Sequence, residues 1–125
     1  MCKTLVIGAS LKTNRYSNLA VNRLRAHNIE TEAFGLVKGN IGDTQIKTNF
    51  NDFQNIHTVT LYVGPGRQPE YYGEILKLTP KRVIFNPGTE NPEFYKILKN
   101  KGIEVAVACT LVLLSTNQYT MSDAL

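Results

Sequence analysis

Short apolar runs alternate along this chain with longer amphipathic stretches, and this alternation constrains the fold more than any other feature. The predicted strands are Thr4–Gly8, Ile29–Phe34, His57–Val63, Arg82–Phe85 and Ile103–Ala108. The predicted helices are Tyr16–His27, Gln68–Leu78, Pro92–Lys101 and Thr110–Leu114. Such a repeat implies parallel strands joined by right-handed crossovers, with helices on both faces of the sheet. We therefore predict a single doubly wound, Rossmann-like α/β domain over residues 1–125, with a five-stranded parallel sheet in three α/β/α layers.

The segment between the second and third predicted strands carries weaker signals. Gln45–Ile46 is expected to form a short ribbon after a turn at Gly39–Asp43. Asn51–Asn55 is expected to form a short helix or turn. Neither is predicted to be a strand of the main sheet.

The composition is that of a soluble globular protein with a slight positive charge. The 125 residues are 42% hydrophobic, and 14 Lys and Arg against 10 Asp and Glu give a net charge of +4. The basic residues are scattered, which argues against a nucleic-acid partner. No apolar run reaches the roughly 18 residues that span a membrane, and no secretory cleavage site is evident. Because Cys2 and Cys109 are the only cysteines, we expect no disulfide framework, no metal site and a cytoplasmic location.

Each predicted strand ends in a loop of small, glycine-containing or polar residues. In open parallel sheets, ligands bind outside the carboxyl ends of the strands, where the strand order reverses. The first loop is the most informative, since Gly8-Ala9-Ser10 leads into a helix and Lys12 and Arg15 add positive charge. Exposed backbone N–H groups and a helix N-terminus attract phosphate. The sequence therefore predicts a nucleotide-like phosphate ligand.

The identity of that ligand is narrowed by two positions. Ser10 and Thr13 stand where the dinucleotide fingerprint G-x-G-x-x-G has glycine, which disfavours NAD. Lys38 follows the second strand, where a positive charge suits a ribose phosphate. NADP and coenzyme A (CoA) both carry one, and the longer turn with Arg15 and Ser17 suits CoA better.

A series of short motifs occurs in order along almost the whole chain. The motifs are Val6–Ser10, Arg15–Ser17 with Ala20, Thr58–Pro65, Gln68–Tyr71, Pro80–Asn91 and Ala108–Val112. Together they resemble the stand-alone CoA-binding domain family, whose fold is similar to that of the nucleotide-binding domain of the succinyl-CoA synthetase α subunit. The block Asn86-Pro87-Gly88-Thr89-Glu90 is the most specific of them.

The resemblance implies that the ligand is CoA or acyl-CoA, and it assigns residues to each part of the molecule. The diphosphate and its surroundings would contact Gly8, Ala9, Ser10, Lys12, Arg15, Tyr16 and Ser17. Lys38 would approach the ribose phosphate, while Val63 and Gly64 would flank the adenine. The crevice toward the pantetheine arm would be lined by Asn86, Pro87, Gly88 and Thr89.

No catalytic machinery is evident from the sequence, and a binding protein is the favoured interpretation. His27 and His57 lie away from the expected crevice, and Glu90 is interpreted as a helix-capping carboxylate. Two enzymatic alternatives stay open: an NADP-dependent reductase or redox sensor, and a thiol- or acyl-transfer enzyme using Cys109. A protein-interaction domain whose crevice is vestigial is a further alternative, and a protein partner or a homodimer is possible.

Overall fold

A computed structural model describes residues 2–120 of the chain. Its strands are β1 (Thr4–Ile7), β2 (Thr31–Phe34), β3 (Gly39–Ile41), β4 (Thr44–Lys47), β5 (Thr58–Leu61), β6 (Arg82–Phe85) and β7 (Glu104–Val107). Its α-helices are α1 (Tyr16–Ala26), α2 (Tyr72–Leu78), α3 (Pro92–Asn100) and α4 (Thr110–Ser115). Short 3-10 helices occupy Phe50–Asp52 and Gln68–Tyr71. Among residues 2–120, none of the helices combines the length and the hydrophobicity that a membrane span needs.

The sheet has seven strands in the order β3-β4-β2-β1-β5-β6-β7, so the expected count of five is wrong. The five predicted strands are present and mutually parallel, and β4 extends them in parallel beside β2. The sixth and seventh strands are β3 and β4, an antiparallel hairpin around Gly42 and Asp43. Gly42 has a φ of +60°, a conformation that tight two-residue hairpin turns require.

Alternate side chains of the central strands enter two separate cores. Leu5 and Ile7 of β1 join one core with Ile75 of α2 and Phe94 of α3. Val6 enters the other core with residues of α1 and α4. The helices therefore cover both faces of the sheet, as the continuous apolar character of β1, β5 and β6 predicts.

The strand order reverses between β1 and β5. The strands β2, β3 and β4 lie on one side of β1, and the chain then crosses to place β5, β6 and β7 on the other side. Ile7 at the end of β1 is level with Phe34 of β2 and with Leu61 of β5, and Leu61 is level with Phe85 of β6. The loops after these four strands consequently leave the sheet at the same edge. This is the place where open α/β sheets bind ligands.

Candidate functional site

The loops after β1, β2, β5 and β6 surround an open cleft of about 710 Å³. Its lining consists of Gly8, Ala9, Ser10, Leu11, Lys12, Arg15, Tyr16, Ser17, Phe34, Gly35, Leu36, Val37, Tyr62, Val63, Gly64, Arg67, Tyr71, Pro87, Gly88 and Thr89. Phe34 and Tyr71 are buried and contact each other edge to face, with ring centroids 5.7 Å apart. Aromatic packing therefore supports the cleft from below.

Gly8 shapes the loop after β1 by turning the chain sharply. Its φ is +96°, and a Cβ at this position would lie 2.9 Å from the Tyr62 carbonyl oxygen. The N–H groups of Gly8 and Ala9 both donate to the Phe34 carbonyl oxygen, at 3.0 and 2.9 Å. These two N–H groups therefore tie the loop to β2, and a ligand would depend on N–H groups further along the loop.

The N-terminus of α1 opens onto the cleft without a side-chain cap. Arg15 occupies the cap position, where serine, threonine, aspartate and asparagine are preferred, and its side chain makes no capping bond. The first turn holds no acidic residue. Among the described residues no acceptor contacts the N–H groups of Tyr16 and Ser17. Unpaired N–H groups at the positive end of a helix dipole can be satisfied by an anion.

Three cationic side chains line the cleft within the described part of the chain: Lys12, Arg15 and Arg67. Lys12 and Arg15 flank the start of α1, and Arg67 stands in the loop after β5. The Arg67 Nε atom lies 3.6 Å from a carboxylate oxygen of Glu70, and both side chains are exposed. Such an exposed pair is weak, so Arg67 stays available to an anionic ligand.

The loops after β5 and β6 are held together by the side chain of Gln68, which is fully buried. Its amide nitrogen donates to the carbonyl oxygens of Val63, at 2.9 Å, and Thr89, at 2.7 Å. Its amide oxygen accepts a 2.9 Å bond from Asn91, whose own side-chain oxygen caps α3 at Phe94. Backbone positions on two sides of the cleft are thus fixed by one amide.

Asn86 is 1% exposed and contributes to the frame beneath the cleft. Its amide nitrogen donates to Thr60 Oγ1 and to the Leu61 carbonyl oxygen, at 2.7 and 2.8 Å. Its amide oxygen accepts a 2.9 Å bond from the Thr110 N–H at the start of α4. The side chain therefore joins the ends of β5 and β6 to α4.

The sequence model of a protein family described as "CoA binding domain" matches residues 3–115 of the chain. This protein belongs to the CoA-binding domain family. A search of curated proteins found no match to this chain.

Several solved structures are similar to this chain. One of them, described as an uncharacterized protein, is 47% identical to this chain and has a TM-score of 0.90. The alignment covers 94% of this chain and 98% of the other chain. A hypothetical protein from Pyrococcus horikoshii OT3 is 25% identical with a TM-score of 0.77, over 86% of this chain and 76% of its own. A Thermus thermophilus protein is similar in fold, at 21% identity and a TM-score of 0.83, over 93% of this chain and 89% of its own.

The cleft of this CoA-binding domain brings together most of the residues that the sequence proposed as ligand contacts. They are Gly8, Ala9, Ser10, Lys12, Arg15, Tyr16, Ser17, Val63, Gly64, Pro87, Gly88 and Thr89. The two proposed contacts outside its lining are Lys38, which is exposed, and Asn86. Sequence reasoning did not assign a site role to Leu11, Phe34, Leu36, Val37, Arg67 or Tyr71.

Three further residues with reactive or titratable side chains, Cys109, Tyr62 and His57, lie at different places relative to the cleft. Cys109 is half-buried, precedes α4 and is not part of the cleft lining. Burial raises the pKa of Tyr62, which lines the cleft and turns its hydroxyl inward. By contrast, His57 lies beside the start of β5, at the opposite edge of the sheet, with its Nδ1 atom 2.8 Å from Thr58 Oγ1.

Proposed function

We propose that this protein is a binding module for CoA or acyl-CoA that recognises the ligand through its diphosphate. The observation that carries the proposal is the uncapped start of α1 at the switch point of the sheet, flanked by Lys12 and Arg15. A diphosphate there would accept bonds from the Tyr16 and Ser17 N–H groups and from the Arg15 guanidinium. Membership of the CoA-binding domain family supports the same ligand.

The rest of the proposed ligand follows from the walls of the cleft. The adenosine would lie between the loops after β2 and β5, where Val63 and Gly64 flank it. The pantetheine arm would run along Pro87, Gly88 and Thr89. The proposal includes a Rossmann-like mode of nucleotide binding, similar to that of the succinyl-CoA synthetase domain, and a cytoplasmic setting, where CoA occurs and thiols are reduced.

The first test is a thermal melt of the full chain with CoA, acetyl-CoA, NADP and NAD in parallel. A ligand at about 100 times its Kd adds roughly 2.7 kcal/mol of stability, which raises Tm by several degrees in a domain of this size. We expect CoA and acetyl-CoA to raise Tm. Stabilisation by NADP alone would instead favour the reductase alternative.

A matched pair of arginine variants locates the diphosphate. Arg15→Ala is expected to weaken CoA binding by about 1.5–3 kcal/mol, because a charge-assisted contact is lost. Arg23→Ala removes the same charge from an exposed position in the last turn of α1, outside the cleft lining, and is expected to leave the affinity unchanged. Titration calorimetry measures both, and equal affinities for the two variants would place the diphosphate elsewhere.

A further inference from the structure

The wall of the cleft that follows β2 carries no charged side chain. Within the described residues, this wall is made by Gly35, Leu36 and Val37. Leu36 is 69% exposed and Val37 is 66% exposed, so two large apolar side chains face solvent here. Leu11 extends the wall, since it lies close enough to Gly39 that a Cβ there would meet its methyl carbons at 2.7 Å.

The positive charges of the cleft lie on other loops. Lys12 and Arg15 follow β1 and Arg67 follows β5, and no other lysine or arginine of the described chain lines the cleft. Two of the three cationic positions, Lys12 and Arg15, therefore lie where the diphosphate is proposed to bind, and Arg67 lies on the loop after β5. The apolar wall of Leu36 and Val37 offers a surface for the flat adenine ring or for the ribose carbons.

The residues after the second strand are those that read the ribose in dinucleotide-binding α/β proteins. An acidic residue there accepts hydrogen bonds from the hydroxyls of an unphosphorylated ribose, and a basic residue accommodates a ribose phosphate. Here β2 ends at Phe34, and the three residues that follow it on the cleft are glycine, leucine and valine. The wall supplies neither kind of partner.

We propose that the cleft makes no specific contact with the ribose phosphate of its ligand. The ligand class is then the adenosine 5′-diphosphate ester, with or without a 3′-phosphate. Dephospho-CoA then binds as tightly as CoA. This inference rests on the proposed function, since it concerns the same site. It adds to the proposed function that every charged contact with the ligand is made to its diphosphate.

The decisive measurement is the pair of dissociation constants for CoA and dephospho-CoA, obtained by titration calorimetry on the full chain. We expect the two constants to agree within a factor of about three, because an unpaired, solvent-exposed phosphate adds little. A larger preference for CoA overturns the inference while the proposed function stands. No binding of either ligand at millimolar concentration overturns both.

Three variants at exposed positions sharpen the test. Lys38→Ala is expected to leave the ratio of the two constants unchanged, and a loss of affinity for CoA alone would show that this lysine reaches the phosphate. Val37→Lys places a charge on the wall and should create a preference for CoA of about fivefold. Val37→Asp, its matched opposite, should create a preference for dephospho-CoA, and equal ratios in both Val37 variants would contradict the proposed position of the ribose.

Discussion

Gly8 holds a backbone conformation on which the first loop of the cleft depends. Replacing it with alanine forces an L side chain into a φ of +96° and sets a Cβ 2.9 Å from the Tyr62 carbonyl oxygen. We expect Gly8→Ala to lower the free energy of unfolding by about 1–3 kcal/mol, because both the strain and the contact must be relieved. Denaturant unfolding measures this loss.

Gly64 gives the matched control for that substitution on the same cleft. A Cβ on Gly64 would meet no heavy atom within 4 Å, and its φ lies outside the left-handed region. Gly64→Ala is expected to change stability by less than about 0.5 kcal/mol. If both variants were equally stable, the close approach of the β1 and β5 loops would not be what requires glycine at position 8.

Individual residues of the site were predictable where a local pattern marks them. Gly8, Lys12 and Arg15 follow a strand within eight positions, so the sequence alone places them at a strand end. Arg67 and Val37 also follow strands, but neither belongs to a recognisable phosphate-binding pattern, and their place on the cleft depends on which strands are neighbours. That information resides in the strand order and not in local spacing.

At the scale of elements, Gln68 joins the 3-10 helix before α2 to the loop before α3. Gln68→Glu replaces a double donor with a carboxylate that faces the carbonyl oxygens of Val63 and Thr89 in a fully buried position. We expect a loss of about 3–5 kcal/mol at neutral pH, because the folded chain must either bury an uncompensated charge or hold a proton that the unfolded chain has released. Urea unfolding at pH 5 and pH 8 measures it.

The pH dependence of this variant has a definite sign. Burial raises the pKa of a carboxyl, so the introduced glutamic acid keeps its proton in the folded state and stability falls as pH rises. Glu70→Gln is the reverse exchange at an exposed neighbour and should be nearly neutral. A Gln68→Glu variant as stable as Glu70→Gln at pH 8 would contradict the role of the buried amide.

The hairpin of β3 and β4 shows where element prediction from sequence stops. The expected turn at Gly39–Asp43 contains the actual two-residue turn, but its first three residues form β3. β3 and β4 contain one clearly apolar residue each, Ile41 and Ile46, which is too few to form an apolar run or an alternating pattern. Pairing of β4 with β2, a long-range contact, decides that they join the sheet.

For the whole molecule, the sequence predicted the class of fold and the edge that carries the cleft. Alternating strands and helices left few arrangements of parallel strands, and those arrangements share the rule that loops after the strands meet at one edge. The two additional strands extend the sheet beyond β2, remote from the β1–β5 switch point. For this reason the error in strand count did not move the predicted site.

The two ends of the described chain are tied together by Tyr119, which is 2% exposed. Its hydroxyl lies 2.7 Å from Thr4 Oγ1, and Thr4 donates its own hydrogen to the Cys2 carbonyl oxygen. Tyr119 must therefore be the donor to Thr4. Arg82 donates to the Tyr119 carbonyl oxygen at 2.8 Å and lies 4.6 Å from the centre of its ring.

The free energy of unfolding at alkaline pH therefore depends on Tyr119. Burial raises the pKa of Tyr119 to about 12, against about 10 in an unfolded chain. Between these values only the unfolded chain loses the proton, so the stabilisation is complete below pH of about 10 and declines as pH rises toward 12. Tyr119→Phe cannot ionise and lacks the bond to Thr4, which is worth about 1 kcal/mol.

We therefore expect Tyr119→Phe to be less stable than the unsubstituted protein at pH 8, and this deficit to shrink at pH 11. Urea unfolding at the two pH values measures the difference, and Tyr16→Phe, at a position 71% exposed, is the control that should follow the unsubstituted protein at both. Titrations elsewhere in the chain affect both proteins equally and cancel in the comparison. A deficit of the same size at pH 8 and pH 11 would mean that Tyr119 ionises as readily in the folded chain as in the unfolded one, and that the closure of the chain ends is not set by its buried hydroxyl.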